Sequence, residues 1–136
     1  MNPKYPTVAA RAEHICEYCK APEILSNMAF EIDHIIPISR NGTEDVDNLA
    51  LACRVCNLRK SDHINGMDSN TQQYVRLFHP RQDSWTDHFE KSLQPPYTIL
   101  DKTAIGRATI SRLNLNSSLQ LRAREYWVAL GVFSLI

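Results

Sequence analysis

The chain lacks any apolar run near the roughly 20 residues that span a bilayer. Its longest candidate, Val128 to Ile136, is short and reads as a packing segment. It also lacks an N-terminal secretion signal, because Met-Asn-Pro-Lys-Tyr-Pro contains no apolar core. Neither a membrane-spanning nor a secreted protein is expected, and the reading is cytoplasmic. Net charge is absent as well, with 15 Lys/Arg against 15 Asp/Glu. That removes the basic excess typical of many nucleic-acid binders, so any DNA contact must use local patches. Residues 1–62 hold seven Lys/Arg and nine Asp/Glu, whereas residues 102–124 hold five cations (Lys102, Arg107, Arg112, Arg122, Arg124) and no acid. No internal repeat or low-complexity tract is visible, and at 136 residues two large independent cores do not fit.

No cysteine is left over. Cys16, Cys19, Cys53 and Cys56 form two Cys-x-x-Cys pairs with 33 residues between them. In a reducing compartment disulfides are disfavoured, and paired knuckles read as a metal site. Four thiolates complete the tetrahedron of Zn²⁺ and leave no open position, which marks a structural ion. A redox role for the pairs is the lesser alternative, since neither sits in a thioredoxin-like context.

Residues 7–14 suit a short helix. Residues 28–38 read as a strand with a fault: Phe30 and Ile32 keep a period of two, which Ile35-Ile36 breaks after Asp33-His34. A bulge or bend at the polar pair is expected, the plainer alternative being that the strand simply ends before Pro37. Asn41-Gly42 signals a turn, Leu49 to Ala52 a short buried strand, and Asn57 to Ser61 the opening of a helix. Residues 71–78 are expected to form an amphipathic helix using Tyr74, Leu77 and Phe78. Thr103 can cap a helix to about Leu113, and Ser117 a second one with an apolar stripe of Leu119, Ala123, Tyr126, Trp127 and Leu130, ending at Gly131. Trp85 and Trp127 read as core.

Zinc pinning residues 16–19 against 53–56 closes the hairpin between them and brings Asp33-His34 near Asn57. Hydrolysis of a phosphodiester needs an activated water, a cation and a fixed geometry. His34 has the proton affinity of a general base near neutral pH. The Asp33 carboxylate and the Asn57 amide oxygen are hard donors suited to Mg²⁺ or Mn²⁺. Asn48 can brace the loop around His34. Glu31 shares the parity of Asp33 and could approach the same ion, although an exposed strand carboxylate is more common. Arg54, Arg59 and Lys60 flank the last cysteine at a helix start, where phosphate is favoured, and Arg107 and Arg112 are candidate DNA contacts further on. His14 and His63 read as ordinary surface or structural residues, and His79 and His88 as packing and hydrogen-bonding ones.

Cys-x-x-Cys, Asp-His-Ile-Ile-Pro, Asp-Asn-Leu and Cys-x-x-Cys-Asn-x-x-Lys, over residues 16–60, resemble the zinc-containing HNH endonucleases. The resemblance implies a ββα-metal, treble-clef-like finger in which His34 is the base, Asn48 the loop brace, and Asp33 with Asn57 the holders of the divalent ion. It also implies a DNA substrate and 5′-phosphate products. Leu77-Phe78-His79-Pro80-Arg81, Trp85-x-Asp87-His88-Phe89 and Thr103-x-x-Gly106-Arg107-x-Thr109 resemble an extension found in small bacterial HNH proteins. Its expected job is to cover the finger and add DNA contacts. The expected fold is α+β, with the nuclease module over residues 1–62 and a mainly helical extension over residues 63–136 packed on it as one domain. The alternative is a non-catalytic zinc module that binds DNA or protein. Nothing in the pattern speaks to oligomeric state.

Overall fold

The computed structural model describes residues 1–135. The chain forms two compact units, Met1–Ile64 with His79–Gln82, and Asn65–Phe78 with Asp83–Ile136. The first unit opens with α1 (Tyr5–Arg11), which carries proline in its first turn and buries Val8 and Ala9. These pack with Leu49 and Leu51 into a small core, flanked by Tyr5, Phe30 and Ile32. Arg11 ends α1 by donating to the carbonyls of Val46 and Leu49, at 3.0 and 2.6 Å. β1 (Glu31–His34) and β2 (Leu49–Ala52) pair antiparallel, Glu31 opposite Ala52 through to His34 opposite Leu49. All four residues of β2 are buried. α2 (Arg54–Lys60) follows directly, with Cys53 as its N-cap.

No bulge interrupts Asp33-His34, and the expected bend falls just after them, at Ile35-Ile36. The pairing runs in register through both residues, and the strand ends after His34. The break in alternation is met by termination, with Ile35 N–H still donating to the Asn48 carbonyl at 2.9 Å. Ile35 can then be buried on its own account. The loop that follows folds back tightly at Gly42, where a Cβ would stand 1.7 Å from the Ile36 carbonyl oxygen. Only glycine fits there.

The second unit contains β3 (Asn65–Asp68) paired with β4 (Gln73–Arg76), a short α3 (Trp85–His88), β5 (Phe89–Lys91) paired with β6 (Ile99–Asp101), α4 (Ala104–Leu113) and α5 (Ser118–Ala129). The helix expected over residues 71–78 is instead the second arm of a hairpin. Asp68 turns the chain by accepting from Asn70 N–H and Thr71 Oγ, at 3.1 and 2.9 Å, and Gln72 takes a left-handed φ of 59°. A turn so fixed sends the β-prone Tyr74-Val75 back along β3. Gly66 lies against α4, where a Cβ would meet the Ala108 carbonyl at 2.6 Å.

Thr103 and Ser117 cap α4 and α5 as expected, accepting from the backbone of Gly106 and Gln120. The stripe on α5 is not the buried one. Leu119, Tyr126 and Leu130 are each more than 60% exposed, and the buried positions are Gln120 and Arg124. Arg124 donates to the carbonyls of Tyr97 and Leu115 and to Asn116 Oδ1, so hydrogen bonds govern which face turns inward. Trp85 and Trp127 are half-buried rather than central. The apolar core of this unit is made by Leu77, Phe78, Phe89, Ile99, Leu113 and Leu115. Phe78 and Phe89 meet edge-on with centroids 5.4 Å apart.

Candidate metal and phosphodiester site

The four cysteine sulfurs are fully sequestered or nearly so and lie within 4.8 Å of one another, with Cys19 Sγ 3.6 Å from Cys53 Sγ. A zinc–sulfur bond of about 2.3 Å gives a tetrahedral edge of roughly 3.8 Å, so the cage has the dimensions zinc requires. Each knuckle is a turn in which the first cysteine's sulfur accepts from the second's backbone N–H, at 3.5 Å in both pairs. Burial opposes ionisation of Cys16, yet bonds from Cys19, Cys53 and Cys56 bring its thiol well below the ordinary value, while the Cys16 contact pushes Cys19 and Cys56 up. Four buried thiols cannot all shed protons alone, and a divalent ion resolves that conflict. Glu17 ties the first knuckle to β2 by accepting from Leu51 N–H at 2.8 Å, and Arg81 bonds its other oxygen.

Asn48 reaches across the loop. Its Oδ1 accepts from Ile36 N–H at 2.9 Å, and its amide donates to the carbonyls of Ile36 at 2.9 Å and Thr43 at 2.8 Å. It therefore sets the chain immediately after His34. His34 occupies the last position of β1, its side chain 27% exposed, and shares a 2.9 Å hydrogen bond from Nε2 with Glu44. Asn57, in the second turn of α2, donates its amide to Glu31, and Arg54 pairs with the other oxygen of Glu31 at 3.0 Å.

Asp33 stands apart from Asn57 in its contacts. It is 3% exposed, accepts from the Tyr18 hydroxyl at 2.6 Å and lies 3.2 Å from the Lys60 ammonium. Burial lifts its carboxyl above the ordinary range against the pull of Lys60 and Tyr18. Burial, then the Asp33 charge, raises the Tyr18 phenol well beyond its usual value, which keeps it a donor. Lys60 is 1% exposed and also donates to the carbonyls of His34 and Ile35, at 3.2 and 3.0 Å.

This corrects the expectation of Lys60 as a phosphate contact, because its charge is spent inside. Arg107 is likewise committed: it grips Asp68 at 2.6 and 3.3 Å and Asp101 at 3.4 Å. Arg112 is half-buried, and its Nε is shielded without a hydrogen-bond partner. Of the tentative DNA contacts, Arg54 is exposed and Arg59 half-exposed. The acid-free run from 102 to 124 is similarly consumed in part, since Arg124 is fully buried. His14 pairs with Glu23 at 2.6 Å, His88 bonds Thr103 at 2.6 Å, and His79 accepts from the backbone of Arg81 and Gln82. Glu44, which contacts His34, and Glu31, which contacts Asn57, are neighbours that the sequence did not assign to the site. Glu31 had one signal, its shared parity with Asp33, and Glu44 had none.

A two-stranded hairpin with β2 fully buried, and a helix, joined through a four-cysteine cage, are compatible with a ββα-metal finger of the treble-clef kind. Residues 16–63 match the model of the HNH endonuclease family. No match was found among curated proteins or among solved structures. Among the described residues no helix is long and apolar enough to cross a membrane.

Proposed function

We propose that the protein is a metal-dependent endonuclease that hydrolyses DNA phosphodiester bonds. The observation that carries this reading is the placement of His34, at the free end of β1 within the HNH domain, partly open to solvent and with Glu44 on one ring nitrogen. An imidazole held this way has its other nitrogen for a water molecule, whose proton it takes as hydroxide attacks phosphorus. The bridge from Asn48 to Ile36 and Thr43 keeps the chain beyond His34 from shifting during that transfer. A divalent ion of the Mg²⁺ or Mn²⁺ type would be held by Asn57 and a carboxylate of β1, which the HNH resemblance assigns to Asp33. When bound, such an ion offsets the charge that builds on the phosphate and the departing 3′ oxygen. The products would then carry 5′-phosphate ends.

The zinc cage fixes the two ends of the hairpin and takes no part in the chemistry, having no open position. The test is supercoiled plasmid incubated with zinc-loaded protein and Mg²⁺ or Mn²⁺. Nicked or linear DNA that disappears on chelation of the added ion supports hydrolysis. Binding without cutting under every ion would identify a zinc module that only docks on a partner.

A further inference from the structure

One side chain links the first cysteine knuckle to β1. Tyr18 lies between Cys16 and Cys19, is 1% exposed, and donates its hydroxyl to Asp33 at 2.6 Å. The knuckle holds its backbone from both sides, since Glu17 N–H donates to the Leu51 carbonyl at 2.8 Å and Cys19 N–H to the Cys16 sulfur at 3.5 Å. A phenylalanine ring would fill the same space. What the hydroxyl supplies is a short bond to a carboxylate, in a buried place where a tyrosine O–H needs a partner. Asp33 keeps capacity for a further bond, because a carboxylate offers about four lone-pair positions. Lys60, 3.2 Å away, divides its donors among Asp33 and the carbonyls of His34 and Ile35. Asp33 is thus gripped from two directions. Tyr18 reaches it from the first knuckle, and Lys60 from α2, whose N-cap is Cys53 of the second.

We infer that Tyr18 is a positioning residue for the divalent ion: its hydroxyl fixes the Asp33 carboxylate, so that the zinc cage orders the second metal site through one hydrogen bond. The inference rests on the nuclease reading, with the ion on Asp33 and Asn57. Outer partners that hydrogen-bond a ligating carboxylate orient it toward its metal. With one oxygen tied to a rigid ring, the Asp33 carboxylate loses the freedom to turn about its Cβ–Cγ bond, and less ordering is left for ion binding to impose. The phenol is also neutral. It orders Asp33 without the repulsion that a further cation would bring to a divalent ion.

The experiment titrates the zinc-loaded full chain with Mn²⁺ alone, followed by the loss of the free Mn²⁺ paramagnetic signal. A Co²⁺-loaded sample of each protein shows by its visible spectrum whether the four-sulfur cage is intact. Tyr18→Phe should keep the cage spectrum of the parent and weaken Mn²⁺ binding about 10–100-fold. A Tyr18→Phe protein with an intact cage that binds Mn²⁺ as tightly as the parent overturns the inference, as does a parent that binds none. Where Tyr18→Phe does not load its cage, the parent decides, labelled with ¹³C at the hydroxyl-bearing carbon of tyrosine. The Tyr18 resonance should move as Mg²⁺ saturates the site, and one that stays in place overturns the inference. Plasmid cleavage run in parallel separates the two claims. A parent that cuts, with Mn²⁺ affinity indifferent to Tyr18→Phe, retains the nuclease and discards the role of Tyr18. A parent whose Mn²⁺ affinity depends on Tyr18 yet which never cuts does the reverse.

Discussion

The two units of this molecule are held by different means. The first has a core of four small or medium apolar residues, Val8, Ala9, Leu49 and Leu51, and beside it a cage of four thiols and an internal Asp33–Lys60 pair. The second has phenylalanines and leucines at its centre, with Asp68–Arg107 and the bonds of Arg124 as internal staples. So small a core leaves a metal to hold the first unit together, and the ligands that this spends on stability fix the hairpin beside which His34 and Asn48 lie and the helix α2 that carries Asn57. In the second unit packing alone can suffice.

The comparison breaks most readily at the metal. Structural zinc contributes on the order of 10 kcal/mol or more in small finger domains. Strong chelation, or Cys53→Ser, should therefore abolish hydrogen-exchange protection in β1, β2 and α2 while leaving α4 protected. Loss of protection in α4 in step with β2 would show that the units are not separately stabilised. Phe89→Ala is the converse perturbation. Removing a fully buried ring that packs on Phe78 and Trp85 should cost about 3–5 kcal/mol, read from denaturant melts, with zinc content unchanged.

Asn48→Ala is subtler. It strips three hydrogen bonds made by a buried side chain to an otherwise exposed loop, and leaving the Ile36 amide unpaired costs about 1–3 kcal/mol. Cleavage should fall even at temperatures where the protein remains folded, because the chain after His34 loses its tie.

The smallest effect is expected at acid pH. Arg107 holds the Asp68 carboxyl down at about 2. An unfolded chain takes up that proton near pH ~3.9, before the folded one does. The stabilisation is thus complete above that value and is lost as pH falls toward 2. Asp68→Asn should flatten this part of the stability–pH profile, and an unaltered profile would remove Asp68 from the account.

Much of the first unit was legible because metal chemistry imposes spacing. Two Cys-x-x-Cys pairs, Asp33-His34 and Asn57 are fixed in sequence by what they must reach in space. The burial of Lys60 was not, since nothing local distinguishes a lysine that caps an internal carboxylate from one on an exposed helix face. In the second unit, periodicity misled twice. Tyr74 and Leu77 fit a helical stripe, but the turn built by Asp68, Asn70 and Thr71 sets a hairpin. On α5 the apolar stripe faces outward, because Arg124 finds three oxygen partners only when its side is turned in.

The central claim is that His34 activates the attacking water. Its most direct test is the single-turnover rate of plasmid cleavage by His34→Ala beside the parent, both zinc-loaded and at saturating Mn²⁺. Loss of a general base should slow the reaction by about 10²–10⁴-fold while zinc content and melting temperature stay put. A His34→Ala protein that cuts as fast as the parent would contradict it.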